Sequence, residues 1–165
     1  MADSKKKLVG RHKRVAFMDT TGDGKTFTRM TGFTSLSDGK NSTEYSRQYV
    51  DEASERSDVV GYAPAMDYEF DRYTNDPVHV RLAEITDDEI LGSDAQVTIV
   101  VVDLFDVQTE DPNTCTARKR DWSVIPDTEG DGTDALIYKG SFKAAGDAVK
   151  GTATTTDNWQ TCTFA

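Results

Sequence analysis

The stretch "TTGDGKTF", residues 20–27, is the first whose residue types suggest chemistry, because Gly-Lys-Thr after a glycine-rich turn is how a phosphate-gripping loop ends. Such a loop needs a glycine five positions before Gly24, so that backbone amides can wrap the phosphates. That position is Asp19, a carboxylate where phosphate charge would sit. "TFTRMTGF" then alternates instead of opening a helix, so no helix N-terminus is on hand for an anion. The stretch reads instead as a hairpin turn at Asp23-Gly24. Two segments mimic calcium loops, one through Asp19, Thr21 and Asp23, the other through Asp127, Glu129 and Asp131. Their twelfth places hold Met30 and Tyr138 where a bidentate Glu is required, so both read as acidic turns between strands.

Other catalytic material is thin. His12 sits in a basic arm, and His79 lies on a helical pattern with no cysteine or carboxylate at ligand spacing. Asp87-Asp88 reads as a solvated face, and Trp122 and Trp159 as core or interface anchors. Cys115 and Cys162 lack metal spacing; reduced thiols are the expectation, and a pairing between them stays open. The residues point to no enzyme, no cofactor and no metal.

The elements that would carry these residues are mostly strands. "RVAFMDT" (14–20), "KTFTRMTGF" (25–33) and "STEYSRQYV" (42–50) alternate. "AMDYEFDRY" (65–73) sets Met66, Tyr68 and Phe70 on one side and Asp67, Glu69 and Asp71 on the other. "AQVTIVVVDLFDV" (95–107) is a Val-rich run, read as a strand buried on both faces. Segments 115–125, 135–142, 147–156 and 159–164 complete the set. One helix is expected over about 77–90, with Asp76 as N-cap, Pro77 at its first position and Gly92 past its end. Val78, Leu82 and Ile85 share its apolar face. The fold class is mainly β: a β-sandwich or barrel of two packed antiparallel sheets with one flanking helix and a long polar loop, 34–58. A loop of that length in a compact domain is usually functional or disordered, and its tyrosines and Val50 favour function.

The chain of 165 residues is read as a basic arm, 1–14, and a single domain, 15–165. Mean hydropathy is −0.59, and no run of apolar residues is long enough to span a membrane. No apolar leader follows the basic start, so folding in a cytoplasm is expected. The arm holds Lys5, Lys6, Lys7, Arg11, Lys13 and Arg14 against Asp3 alone, so a formal net charge of −10 leaves about −15 on the body. An acidic body argues against ordinary nucleic-acid binding, which neutralises phosphates. The arm could contact DNA, meet an acidic neighbour, or remain a solvated tail.

"EYSRQYVDE" (44–52), "DVVGYAPAMDYEFD" (58–71), "DDEILGSDAQVTIVVVDL" (87–104), "YKGSFKAAGD" and "VKGTATTT" (138–147, 149–156) together resemble the major tail tube protein of long-tailed bacteriophages or phage-tail-like particles, of the Gram-positive-host type. The resemblance spans nearly the whole chain and lies in order and spacing, not in a catalytic signature. It implies hexameric rings stacked into a tube, with sheet segments of neighbouring subunits joined into one inner barrel, and the 34–58 segment reaching the adjacent ring. It also implies tail initiator or baseplate, tape measure and tail terminator partners, a sheath protein where the tail contracts, passing DNA, and a place in the virion tail after assembly in the host cytoplasm.

Within that picture Asp67, Glu69 and Asp71 line either the lumen or the outer surface. Acidic lumen walls would repel DNA over a Debye length of about 8 Å. Tyr45, Arg47, Tyr49 and Val50, with the basic residues Lys5, Lys6, Lys7, Arg11 and Arg14, are the expected contacts between subunits. Two other classes compete. One is a monomeric carbohydrate-binding or adhesin-type module using Tyr62, Tyr68, Tyr73 and Trp122; the other is an acidic DNA mimic.

Overall fold

A computed structural model describes residues 5–165; Met1–Ser4 of the basic arm, including Asp3, lie outside the described residues. Strand accounts for 55% of it, and the expected β-barrel or sandwich with a flanking helix is present. In chain order the strands are β1 (Arg14–Met18), β2 (Thr26–Arg29), β3 (Phe33–Gly39), β4 (Ser42–Arg47), β5 (Arg56–Tyr62) and β6 (Ala65–Asp71). After helix α1 (Pro77–Asp87) come β7 (Gln96–Gln108), β8 (Asp111–Asp131), β9 (Ile137–Ala144), β10 (Val149–Thr154) and β11 (Thr161–Phe164).

The two expected sheets are continuous with each other, and β8 is the reason. Its first part pairs with β10 (Thr114–Lys119) and with β7, which closes the six-stranded barrel β10-β11-β2-β1-β7-β8. Its distal part pairs with β9 and starts an open wing, β8-β9-β6-β3. Strands β4 and β5 stand apart as a two-stranded sheet.

Two cores result, and period-two alternation splits single strands between them. Val15, Phe17, Val100, Val102, Cys115 and Ala117 fill the barrel. Ala16, Met18, Val97, Ile99, Trp122 and Val124 face the other way, into a core shared with α1 and the wing. The Val-rich run of β7 is therefore apolar on both faces because both faces are covered.

Helix α1 starts where the sequence places it. Asp76 Oδ1 accepts from the amides of Val78 at 2.9 Å and His79 at 3.4 Å, and Pro77 fills the first turn. Val78, Leu82 and Ile85 are fully buried against the wing. Each contributes about 1.5–3 kcal/mol of apolar burial, and Leu82→Ala would cost about 2–5 kcal/mol. The end differs from expectation. Glu89 takes the left-handed conformation (φ 50°), and the Ile90 amide reaches back to Ile85 O at 3.1 Å, a Schellman-like stop at Asp87. Gly92 instead opens a short 3-10 turn, Gly92–Ala95.

The segment expected as a long polar loop, 34–58, is ordered instead: it holds β3 from Thr34 on, all of β4 and the start of β5, and β4 and β5 form a projecting hairpin. Asp23-Gly24 does not form a two-residue hairpin turn either. Residues 19–25 make a wider connection whose amides point inward onto carboxylates. Asp19 Oδ1 accepts from Thr21 N at 3.1 Å and Gly22 N at 2.8 Å, and Oδ2 from Gly24 N at 2.9 Å. The loop thus cradles an anion, but the anion is its own side chain.

Candidate assembly surfaces

Three surfaces carry the residues singled out in the sequence, and each is built differently. The first is the wing face turned away from α1. Met66, Tyr68 and Phe70 are buried on the helix side, so Asp67, Glu69 and Asp71 fall on the open side as alternation requires. The face is less uniformly acidic than the strand alone suggests. Across the β6–β9 ladder Glu69 stands opposite Lys139, and Ala65 opposite Lys143. Lys139 Nζ lies 2.8 Å from Asp131 Oδ2; this bond raises the ammonium pKa and lowers that of the carboxyl. The wing is drawn tight at Gly140, where a Cβ would come within 2.6 Å of both Ile125 O and Tyr68 Oη.

The second surface is the β4–β5 hairpin, which pairs only with itself. Arg47 is its organising residue. Its guanidinium lies 5.1 Å from the Tyr45 ring centroid and 5.5 Å from that of Tyr49, donates from Nε to Tyr49 Oη at 2.8 Å, and pairs with Asp58. Arg56 continues the stack over Tyr49 and bonds Glu52 at 2.8 Å. Val50 at the tip is fully exposed, and Tyr45 and Tyr49 are about half exposed. Sequence reading missed Val59 and Val60 on the returning strand, exposed at 54% and 62%, and placed Tyr62, exposed at 64%, only in the competing binding-module reading. Residue type alone does not mark these valines as surface; their exposure in the folded subunit does.

The third is the N-terminal arm. Lys5, Lys6, Lys7, Arg11 and Arg14 are all exposed or largely so. The two arginines are engaged within the subunit. Arg14 Nε bonds Asp103 Oδ1 at 2.6 Å, and Arg11 donates to the carbonyls of Arg14 at 2.7 Å and Leu36 at 2.9 Å. Asp103 is 5% exposed and is also approached by Arg118 at 3.4 Å. Its signal was legible in principle: an Asp inside a Val-rich run needs a cationic partner once buried.

Residues with chemical potential elsewhere are structural. His79 is fully buried. Its Nδ1 accepts from the Tyr73 amide at 3.1 Å, so Nε2 carries the proton and donates to Thr31 O at 2.6 Å. Its ring stacks on Phe70 at 4.5 Å, and Gly32 (φ 76°) leaves it room, since a Cβ there would come within 2.9 Å. Cys115 and Cys162 are free and buried in the barrel, and burial pushes the Cys162 thiol up to about 12. Asp87 does more than face solvent: it accepts from Tyr138 Oη at 3.1 Å and shares a hydrogen bond with Glu129, whose carboxyl is raised chiefly by that contact. Of the aromatics proposed for a binding cleft, Tyr68 and Trp122 are each only 3% exposed, so no four-residue aromatic cleft exists.

The overall fold is similar to that of chains in solved tail and particle structures. It superposes on a chain from the tail of an empty GTA particle with C6 symmetry at a TM-score of 0.57 and 11% identity, covering 90% of this chain and 100% of that one. A chain from the virion of the native gene transfer agent (GTA) particle gives 0.57 and 10%, over 87% and 98%. A chain from the tube-terminating cap of the anti-feeding prophage gives 0.51 and 10%, over 94% and 97%. No family model matches the sequence. No curated protein matches it either.

Proposed function

We propose that this chain is a non-enzymatic structural subunit of a phage tail or tail-like particle, assembling as hexameric rings that stack into a tube. The observation that carries the reading is the β4–β5 hairpin. An isolated two-stranded hairpin is marginal in water, and this one projects Tyr45, Val50, Val59, Val60 and Tyr62 with no layer over them. Such a surface is suited to a second copy in the next ring.

The wing supplies the ring. Its four strands alternate in direction, so its outer members, β3 and the distal part of β8, run oppositely. Copies rotated about an axis can therefore join edge to edge and remain antiparallel throughout. Closure of that kind removes the free edges, and a head-to-tail contact that closes gives a ring. The C6 symmetry of the GTA tail supports six copies. With α1 covering one wing face, the Asp67, Glu69 and Asp71 face is left for the lumen, where net negative charge would keep passing DNA off the wall. Tail initiator, tape measure and terminator proteins would bound the tube, and the charge of the subunit would delay association until an initiator is present.

The test is negative-stain electron microscopy of the concentrated full chain beside a variant lacking residues 42–62. The cut is mild, because the Ala63 amide already bonds Lys40 O at 3.2 Å. Hollow filaments from the full chain, and only monomers or single rings from the variant, are expected. Small monodisperse particles from both, even with tail-initiation proteins added, would overturn the reading.

A further inference from the structure

The wing ends in two strand edges, one beside a groove bordered by arginines of neighbouring elements and one carrying acidic residues. β3 pairs with β6 on one side only, and along its other side runs a groove of about 690 Å³. Arg11, Arg14 and Arg29 border that groove, together with Phe33 and Leu36 of β3 itself. Arg11 spans it, giving one nitrogen to the Leu36 carbonyl at 2.9 Å. A guanidinium thus occupies a backbone acceptor on an edge that would otherwise recruit another strand.

At the far end of the wing, β8 beyond Ser123 pairs with β9, and among the described residues no strand pairs with the other side of Val124–Asp131. This segment is one residue longer than Phe33–Gly39 of β3 and carries Asp127, Glu129 and Asp131. Glu129 is tied to Asp87, and Asp131 to Lys139 at 2.8 Å. Asp127 is exposed and sits at a bulge, where the β8–β9 register shifts between Pro126 and Thr128. A bulge turns its extra residue out of the ladder, which leaves this carboxylate available to a neighbour.

We propose that the basic groove beside β3 receives the distal half of β8 from a second copy of this chain, Arg11 leaving the Leu36 carbonyl to meet Asp127 of that copy. The inference rests on the ring reading and specifies its contact. Opposite charge at the two edges selects this pairing over β3 with β3 or β8 with β8, since like charges brought together oppose association. The same contact repeated head to tail uses both edges of every subunit. Arg11 has two sets of acceptors, one within the subunit and one across the junction, so an unassembled chain keeps its edge covered.

Charge reversal tests this directly. Full-length Arg11→Glu and Asp127→Lys would be followed by sedimentation velocity and electron microscopy at low salt, with circular dichroism to confirm folding. Each variant alone should need about tenfold more protein to associate than wild type. An equimolar mixture of the two should recover. When the variants alternate, one junction sets the introduced glutamate against the introduced lysine, and the next restores Arg11 against Asp127. The double variant, which carries the reversed pair at every junction, should recover as well. Wild-type assembly with unaffected single variants, or no recovery in the mixture, would overturn the contact while leaving the tube standing. Association of the mixture without tubes from any sample would support the contact and sink the tube. If wild type and mixture both stay monomeric, both fall.

Discussion

Arg14 donates from Nε to Asp103 Oδ1 across 2.6 Å, joining residues 89 positions apart at the point where the N-terminal arm enters the barrel. The carboxylate is buried, whereas the guanidinium is about half exposed, and Arg118 stands farther off at 3.4 Å. Removing Arg14 leaves a buried charge with one weaker partner. Arg14→Ala is therefore expected to cost about 1–2 kcal/mol, a value discounted for the solvent that screens the arginine. Urea unfolding of the monomer measures it, and an unchanged midpoint would show that the pair contributes nothing.

The hairpin separates stability from assembly. Val50 is fully exposed at its tip, and the half-exposed Tyr49 ring lies against Arg47 and Arg56. Val50→Asp should leave the monomer's unfolding midpoint within about 0.5 kcal/mol of wild type, as for other surface substitutions. Filament formation in the same preparation should drop sharply. A variant that polymerises normally would remove the tip from the interface.

Glu129 gives the subunit a pH dependence of defined sign. Its carboxyl is raised above the ordinary value of 4.5, chiefly by the hydrogen bond with Asp87. A group raised on folding adds stability while protonated, and that contribution is lost as pH rises through the raised value. Glu129→Gln retains a donor at every pH. Its thermal midpoint should exceed that of wild type at neutral pH, and the gap should narrow as pH falls through the raised value to below the ordinary 4.5. A gap that is constant with pH would show that Asp87 and Glu129 do not share a proton.

How much the sequence disclosed follows from how local each signal was. Alternation in 65–71 and the Val-rich 96–108 run mark their strands, because side chains two apart share a face whatever the topology. The helix start was legible through Asp76 and Pro77, whereas its end depended on Glu89 adopting φ 50°, a choice no propensity announces. The continuity of the sheets was hidden because β8 holds its pattern while changing partners from β10 to β9. Among the surface residues, the face of Asp67, Glu69 and Asp71 could be read directly, but its interleaving with Lys139 and Lys143 required register. Val59 and Val60 resemble core residues in sequence, because type alone does not say whether a layer covers them.

The lumen assignment can be checked with a thiol placed on the wing. Cys115 and Cys162 are buried, and burial raises both thiols, so neither competes for a maleimide under mild conditions. Asp67→Cys puts a reactive group on the face opposite α1, and Glu84→Cys puts one on the exposed side of the helix. Both variants should label with small and with polymer-linked maleimides as monomers. After assembly, the position 84 variant should still take the polymer-linked reagent. The position 67 variant should take only the small one, which can diffuse along the bore, with residual labelling by the large one at tube ends. The opposite pattern would turn the acidic face outward and make the helix side the lining. In that case charge repulsion from Asp67, Glu69 and Asp71 could no longer act on DNA inside the tube, since the Debye length of about 8 Å is shorter than the barrel and helix layers that would intervene.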